Sequence, residues 1–130
     1  MIVDTSALLA IALKEPEAPR FIQLIREEGI AISASTLLES EIVVRARLGV
    51  DALNDLRDFL DRGPSEVVPF DARQVRIASE AHARYGRGSK HPAKLNFGDC
   101  FSYALAMARD EPLLFKGDDF IHTDVRVAAP

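Results

Sequence analysis

The chain has one cysteine, no tryptophan and no long apolar run. The single Cys100 excludes an internal disulfide, and no apolar stretch approaches the roughly 20 residues that a membrane-spanning helix needs. The N-terminal stretch MIVDTSALLA has no basic segment and carries an acid at position 4, so it does not resemble a secretory signal. These absences favour a reducing, cytoplasmic setting.

The length and composition are those of one ordinary globular domain. With 130 residues, 48% of them hydrophobic, the chain can build a sizeable core, and we expect a single domain over residues 1–130. There are 16 Lys and Arg residues against 20 Asp and Glu, a net charge of −4. This balance argues against a protein that coats nucleic acid, because such proteins need clustered positive charge.

One segment departs from the acidic balance. Residues 82–97, HARYGRGSKHPAKLNF, contain two histidines and four cations but no acid. The cations are Arg84, Arg87, Lys90 and Lys94. Most charge runs are solvated loops. Because an acidic motif follows this one directly, contact with substrate phosphates is the favoured interpretation of this loop.

Short apolar segments alternate with amphipathic ones along the whole chain. Strands are predicted at 1–3, 30–32, 67–70, 113–116 and 125–128. Helices are predicted at 6–14, 17–28, 36–48, 50–61, 72–85 and 97–109. Short apolar strands separated by helices indicate an α/β fold with a mainly parallel sheet covered on both faces. Apolar side chains of the early helices are more simply explained as core than as a dimer surface; they include Phe21, Ile25, Leu53 and Phe59.

Carboxylates recur where a predicted strand ends or a helix begins. They are Asp4 in MIVDTSAL, Glu39 in STLLESE, Asp99 in LNFGDCF, and Asp118 with Asp119 in LLFKGDDF. In open α/β sheets, ligands bind at the carboxyl ends of the strands, so these acids can share one edge. Carboxylates crowded into one cleft repel each other, and a divalent cation usually compensates. The set therefore predicts a metal site.

Each acid taken alone also has a structural explanation. Asp4 can cap the first helix. Glu39 and Asp99 can close capping boxes with Thr36 and Asn96. The acids at 118 and 119 can form a turn. Capping does not explain why all of them fall at one edge of the predicted sheet.

The stretches MIVDTSALLA, ASTLLESE, LNFGDCFSYALA and PLLFKGDDFIHTDV resemble, in order and spacing, the signature stretches of PIN-domain nucleases, and most closely those of VapC toxins. The resemblance covers nearly the whole chain. It implies a three-layer α/β/α sandwich with a mostly parallel sheet of about five strands. It also implies a Mg²⁺- or Mn²⁺-dependent endoribonuclease that hydrolyses RNA, a homodimer, and a cognate VapB-type antitoxin that carries the DNA-binding function.

Carried over residue by residue, the resemblance gives catalytic roles to Asp4, Glu39, Asp99 and Asp118. The metal ligands that it implies are Asp4, Asp99, Asp118 and Asp119. Either acid of the pair can be the family's fourth, and Asp118 is preferred because it comes first after the strand.

Candidate substrate contacts lie beside these acids and in the basic loop. They are Thr5, Ser6, Asn96, Arg84, Arg87, Lys90 and Lys94. Hydroxyls next to the first acid can orient a water or a phosphate. Ser6 is equally well explained as a helix cap, and Asn96 as the cap of its own helix.

Two alternatives come from other classes of protein. A response-regulator receiver domain also has an acidic Mg²⁺ pocket, but it needs two adjacent acids after the first strand, and here Asp4 stands alone. A PIN-like scaffold that binds a metal or a partner without turnover remains open.

Overall fold

The computed structural model of the protein describes residues 1–128. Six helices and four strands alternate along this part of the chain, followed by a short 3-10 turn. In chain order they are β1 (Ile2–Val3), α1 (Thr5–Ala12), α2 (Ala18–Glu28), β2 (Ile30–Ser33), α3 (Ala34–Leu48), α4 (Val50–Arg62), β3 (Ser65–Val68), α5 (Ala72–Tyr85), α6 (Phe97–Arg109), β4 (Leu113–Leu114) and the 3-10 turn (Phe120–His122). None of the helices described has the length and apolarity to span a bilayer.

The four strands form one parallel sheet in the order β3-β2-β1-β4. Alternate strand residues face opposite sides. Ile2 and Leu113 pack into a core under α5 and α6, whereas Val3 and Leu114 pack into a second core under α1 to α4. The sheet is therefore the middle layer of an α/β/α sandwich, which confirms the predicted fold.

The strands are fewer than predicted, and their bounds differ from the predicted ones. Residues 125–128 do not form a fifth strand, since they meet the sheet at one parallel bridge between Leu113 and Val127. Strand β3 spans 65–68 instead of 67–70, because Pro69 has no N–H to donate to a ladder. Strand β4 ends at Leu114, and the backbone N–H of Lys116 donates to the Ser6 hydroxyl instead.

The early helices face inward as expected. Phe21, Ile25 and Leu53 are buried, and Phe59 is half-buried against the core under α1 to α4. The core interpretation of these apolar side chains is confirmed. With β1 central, the junctions β1–α1 and β2–α3 open at the same edge as the N-terminus of α6.

Candidate metal centre

Asp4 ends β1 and caps α1. Its Oδ2 accepts hydrogen bonds from the backbone N–H of Ser6 at 3.0 Å and from the Ser6 hydroxyl at 2.7 Å. Its Oδ1 accepts a 2.5 Å hydrogen bond from the Ser102 hydroxyl on α6. The cap is therefore Asp4 and not Ser6, and the carboxylate is held almost completely buried by donors from two distant segments.

Glu39 is not part of a capping box with Thr36, so that prediction is wrong. Strand β2 runs directly into α3, which begins at Ala34, and Thr36 already lies within the first turn. The Glu39 carboxylate instead accepts a 2.6 Å hydrogen bond from the Thr5 hydroxyl. Helix α3 therefore places the Glu39 carboxylate against Thr5, the residue that follows Asp4.

A buried hydroxyl supports this contact from behind. Ser40 Oγ lies 3.0 Å from Thr5 Oγ1 and 2.8 Å from the Thr36 carbonyl oxygen. Ser40 is completely buried, as is Thr36. The Thr5 side chain therefore has neighbours on both sides and cannot turn freely from Glu39.

Asp99 and Asn96 form the predicted capping box at the start of α6. The Asp99 N–H donates to Asn96 Oδ1 at 2.9 Å, and the Asn96 N–H donates to Asp99 Oδ2 at 2.9 Å. Burial raises the pKa of Asp99 to about 7, opposed by the Asn96 N–H and reinforced by the negative charges of Asp4, Asp119 and Glu39. The negative charges of three acids from other segments therefore act on Asp99.

Gly98 makes room for Glu39 at the first turn of α6. A Cβ at this position would lie 2.0 Å from Glu39 Oε2 and 2.7 Å from its carboxyl carbon. The carboxylate thus lies against the backbone next to Asp99, in space that any larger residue would fill.

The structure favours Asp119 over Asp118 as the fourth acid. Asp119 is among the charges that raise the pKa of Asp99. It directly precedes Phe120, which is buried and packs on Phe115 with ring centroids 5.1 Å apart. Gly117, with φ of +107°, makes the turn that brings this segment back.

The donor set fits a hard divalent cation in chemistry and in charge. All the acids offer oxygen ligands, and a cation would offset the repulsion that raises the pKa of Asp99. Within residues 1–128, no three His, Cys, Asp or Glu side chains are arranged to hold an ion as they stand. The carboxylates of Asp4, Glu39 and Asp99 are each hydrogen-bonded to a hydroxyl or backbone donor, which orients them.

Cys100 takes no part in this cluster as a nucleophile. Burial raises the pKa of its thiol to about 11, helped by the neighbouring charge of Asp99. Its Sγ lies 3.4 Å from the Asn96 carbonyl oxygen. A protonated, buried thiol is a packing group.

Sequence reasoning missed three residues that shape the site: Ser40, Gly98 and Ser102. Ser102 follows Asp99 by one helical turn, so its position on the same face was the available signal. On α6, Leu105 is completely buried. Phe101 and Ala108 are half-exposed, whereas Ser102 is completely buried.

Comparison with known proteins agrees with this geometry. Residues 1–126 match the sequence model of the PIN domain, and the chain belongs to the PIN-domain family. Its full-length relatives there include Ribonuclease VapC30 of Mycobacterium tuberculosis, 42% identical over 130 residues, which are 99% of this chain and 98% of the relative. Ribonuclease VapC28 of the same organism is 44% identical over 129 residues, 98% and 97% of the two chains. The resemblance noted in the sequence is thereby confirmed, and the receiver-domain alternative is set aside.

Solved structures share the fold at lower identity. Mycobacterium tuberculosis VapC20, a toxin that cleaves the sarcin–ricin loop, superposes with a TM-score of 0.79 at 18% identity, covering 99% of this chain and 98% of its own. VapBC2 from Rickettsia felis, bound to a DNA fragment from its promoter, gives 0.73 at 16% identity, covering 97% and 94%.

Proposed function

We propose that this protein is a divalent-metal-dependent endoribonuclease, the toxin of a toxin–antitoxin pair. The observation that carries the proposal is the gathering of Asp4, Glu39 and Asp119 around the half-buried Asp99. Identity of 42–44% to VapC ribonucleases over nearly the whole length supports the same reaction.

Asp4, Asp99 and Asp119 are the residues that would hold Mg²⁺ or Mn²⁺, with Asp118 beside them. The ion, when bound, lowers the pKa of a coordinated water and offsets charge on the phosphoryl group and the departing oxygen. The buried hydroxyl of Ser102 fixes the Asp4 carboxylate for this purpose.

Glu39 is assigned to the attacking water. It is hydrogen-bonded to a hydroxyl and not to the backbone, so it can orient the water and accept its proton. The new bond joins the water oxygen to phosphorus, and the bond to the 3′-oxygen breaks. The departing oxygen takes up a proton, so the products carry a 5′-phosphate and a 3′-hydroxyl.

The partners follow from the same site. An acidic cleft accepts an Arg- or Lys-bearing arm of an antitoxin through bidentate Arg–carboxylate pairs. A solved neighbour from Klebsiella pneumoniae is described as a toxin–antitoxin complex, which supports a VapB-type partner. We further propose one domain over residues 1–130, a homodimer, and action in the cytoplasm. DNA binding is left to the antitoxin.

Cleavage of a labelled RNA with and without Mg²⁺ or Mn²⁺ tests this function. We expect cleavage that needs the metal and is lost in Asp4→Asn and Asp99→Asn. Asp58→Asn, on the exposed face of α4, is the matched control and keeps full activity. Equal, metal-independent cleavage by all four proteins would contradict the mechanism. Binding of metal and RNA without product would favour a non-catalytic PIN scaffold.

A further inference from the structure

A second cleft adjoins the acids and has the opposite charge. It is formed by the loop between α5 and α6 and has a volume of about 390 Å³. We call it the basic cleft, and its lining residues are Arg87, Gly88, Lys90, His91, Lys94 and Asp119. Asp119 belongs both to this wall and to the charges that act on Asp99. The two clefts are therefore neighbours.

Among the residues that the structure describes, the cations of the basic cleft have no carboxylate partner. Among residues 1–128, no carboxylate oxygen lies within 4 Å of the side-chain nitrogens of Arg87, Lys90 or Lys94, and all three side chains are exposed. Arg84 differs, because its guanidinium lies over the Tyr85 ring, 4.9 Å from the centroid. Arg84 is thus engaged outside the cleft.

The loop is held in one shape in spite of its backbone conformation. Lys90 and Lys94 have φ of +64° and +50°, a left-handed conformation that costs a non-glycine residue about 1–2 kcal/mol. The completely buried Leu95 anchors the loop, since its carbonyl accepts from Arg87 N–H at 3.0 Å and its N–H donates to the Tyr85 carbonyl at 2.9 Å. Lysine at strained positions adds charge where asparagine or glycine would relieve strain.

His91 contributes a donor to the same wall. Its Nδ1 accepts a 3.1 Å hydrogen bond from the Ala93 N–H, so the ring proton lies on Nε2. The ring packs edge-on against Tyr85 with centroids 4.8 Å apart. The imidazole is thereby fixed as an N–H donor among the cations.

We propose that the basic cleft binds a backbone phosphate of the RNA, next to the phosphate that is cut at the acids. This inference rests on the proposed function and adds the path of the substrate. A nucleic-acid strand carries one charge per nucleotide, so it can place one phosphate among the cations while its neighbour lies at the metal-loaded acids. Asp119 in the wall would repel any anion unless a cation is held at the acids, so the cleft suits a strand whose neighbouring phosphate lies at those acids.

The test is a triple variant that removes the charges and keeps the loop: Arg87→Gln, Lys90→Asn and Lys94→Asn. Asparagine tolerates the left-handed conformation better than lysine does, so the loop should keep its shape. The control triple, Arg20→Gln, Arg47→Gln and Arg76→Gln, makes the same charge change at exposed positions of α2, α3 and α5. All proteins carry Glu39→Gln to slow cleavage, and thermal unfolding verifies that each is folded.

Binding of a fluorescent single-stranded RNA is measured by anisotropy in Mg²⁺ over a salt series. We expect roughly 10- to 100-fold weaker binding by the triple variant at low salt, and a plot of log K against log salt that is shallower by about 0.7, the change for one phosphate on a single strand. The control triple should stay within about 2-fold of the parent.

Equal affinity and equal salt slope in the parent and the triple variant would overturn the inference, as would an equal loss in the control. Selective loss of binding to an acidic peptide would do the same and assign the cleft to a protein partner. The result is separable from the proposed function. Binding of RNA through the cleft, together with no metal-dependent cleavage by the protein that retains Glu39, would defeat the nuclease and keep the phosphate site.

Discussion

The acid cluster and the basic cleft are neighbours built in opposite ways. The acids come from four distant segments, and the carboxylates of Asp4, Glu39 and Asp99 each accept a hydrogen bond from a hydroxyl or backbone donor. The cations come from one continuous loop, and their side chains end in solvent. A hard ion demands strict ligand geometry, whereas a phosphate accepts a mobile ammonium at the end of a flexible stem. The acid cluster is therefore held rigidly, as a metal site requires, whereas the cations of the basic cleft can adapt to the position of a phosphate.

The largest expected effect distinguishes the two adjacent acids, Asp118 and Asp119. We expect Asp119→Asn to lower RNA cleavage by roughly 1000-fold, since removing a metal ligand loses several kcal/mol of charge stabilisation. Asp118→Asn should lose less than about 10-fold, because Asp119 and not Asp118 is among the charges that raise the pKa of Asp99. Initial cleavage rates at saturating Mg²⁺ measure both. The reverse order would restore Asp118 as the fourth acid.

Gly98→Ala should break the acid cluster without breaking the fold. The new methyl displaces the Glu39 carboxylate, and loss of a positioned general base lowers kcat by about 100-fold or more. The unfolding free energy should stay level or rise by up to about 1 kcal/mol, since alanine favours the helix.

Gly49→Ala is the opposite control. It has no neighbour within 4 Å but a φ of +93°, so it should lose about 1 kcal/mol of stability and keep its activity. Full activity in Gly98→Ala would show that Glu39 has room elsewhere and is not held for catalysis.

Ser102→Ala removes the hydroxyl that holds Asp4. Cleavage and Mn²⁺ affinity should both fall by about 10- to 100-fold, as for other residues that orient a metal ligand. Calorimetric titration measures the Mn²⁺ affinity independently of RNA cleavage. Ser79→Ala, on the exposed face of α5, is the matched control. Unchanged Mn²⁺ affinity in Ser102→Ala would limit Ser102 to packing.

The stability of the metal-free protein should depend on pH through Asp99. Its pKa is about 7 in the folded chain and near 4 when unfolded, so the folded state binds the extra proton between these values. Stability should therefore fall by about 1–3 kcal/mol as pH rises from 4 to 7. Thermal unfolding across this range should show the fall in the parent, a smaller one in Asp99→Asn, and recovery with Mg²⁺. Parallel curves for the two proteins would contradict the assignment.

The smallest effect lies in the basic cleft. Lys90→Asn alone should raise the unfolding free energy by about 0.5–1 kcal/mol, because asparagine is less strained at φ of +64°. It should still weaken RNA binding by a few-fold. Urea unfolding and anisotropy measure the two changes. Loss of stability would mean that the lysine stem packs in the loop.

Local signals in the sequence predicted much of this structure. The bounds of α5 and α6 match the prediction, because Asp71 and the Asn96–Asp99 box mark their starts. The gathering of the acids also followed from strand ends. The prediction of a helix cap at Thr36 was wrong because β2 passes into α3 with no intervening loop, so the helix begins earlier, at Ala34. Hydrogen bonds between distant residues, such as Ser102 to Asp4, have no local signal.

The contact between Asp4 and Ser102 joins residues 98 positions apart. During synthesis, the first acid leaves the ribosome long before the helix that completes its environment. For most of translation, the nascent chain therefore lacks α6 and the Ser102 hydroxyl that holds Asp4. Under the proposed function, RNA cleavage by this chain begins only near the end of synthesis.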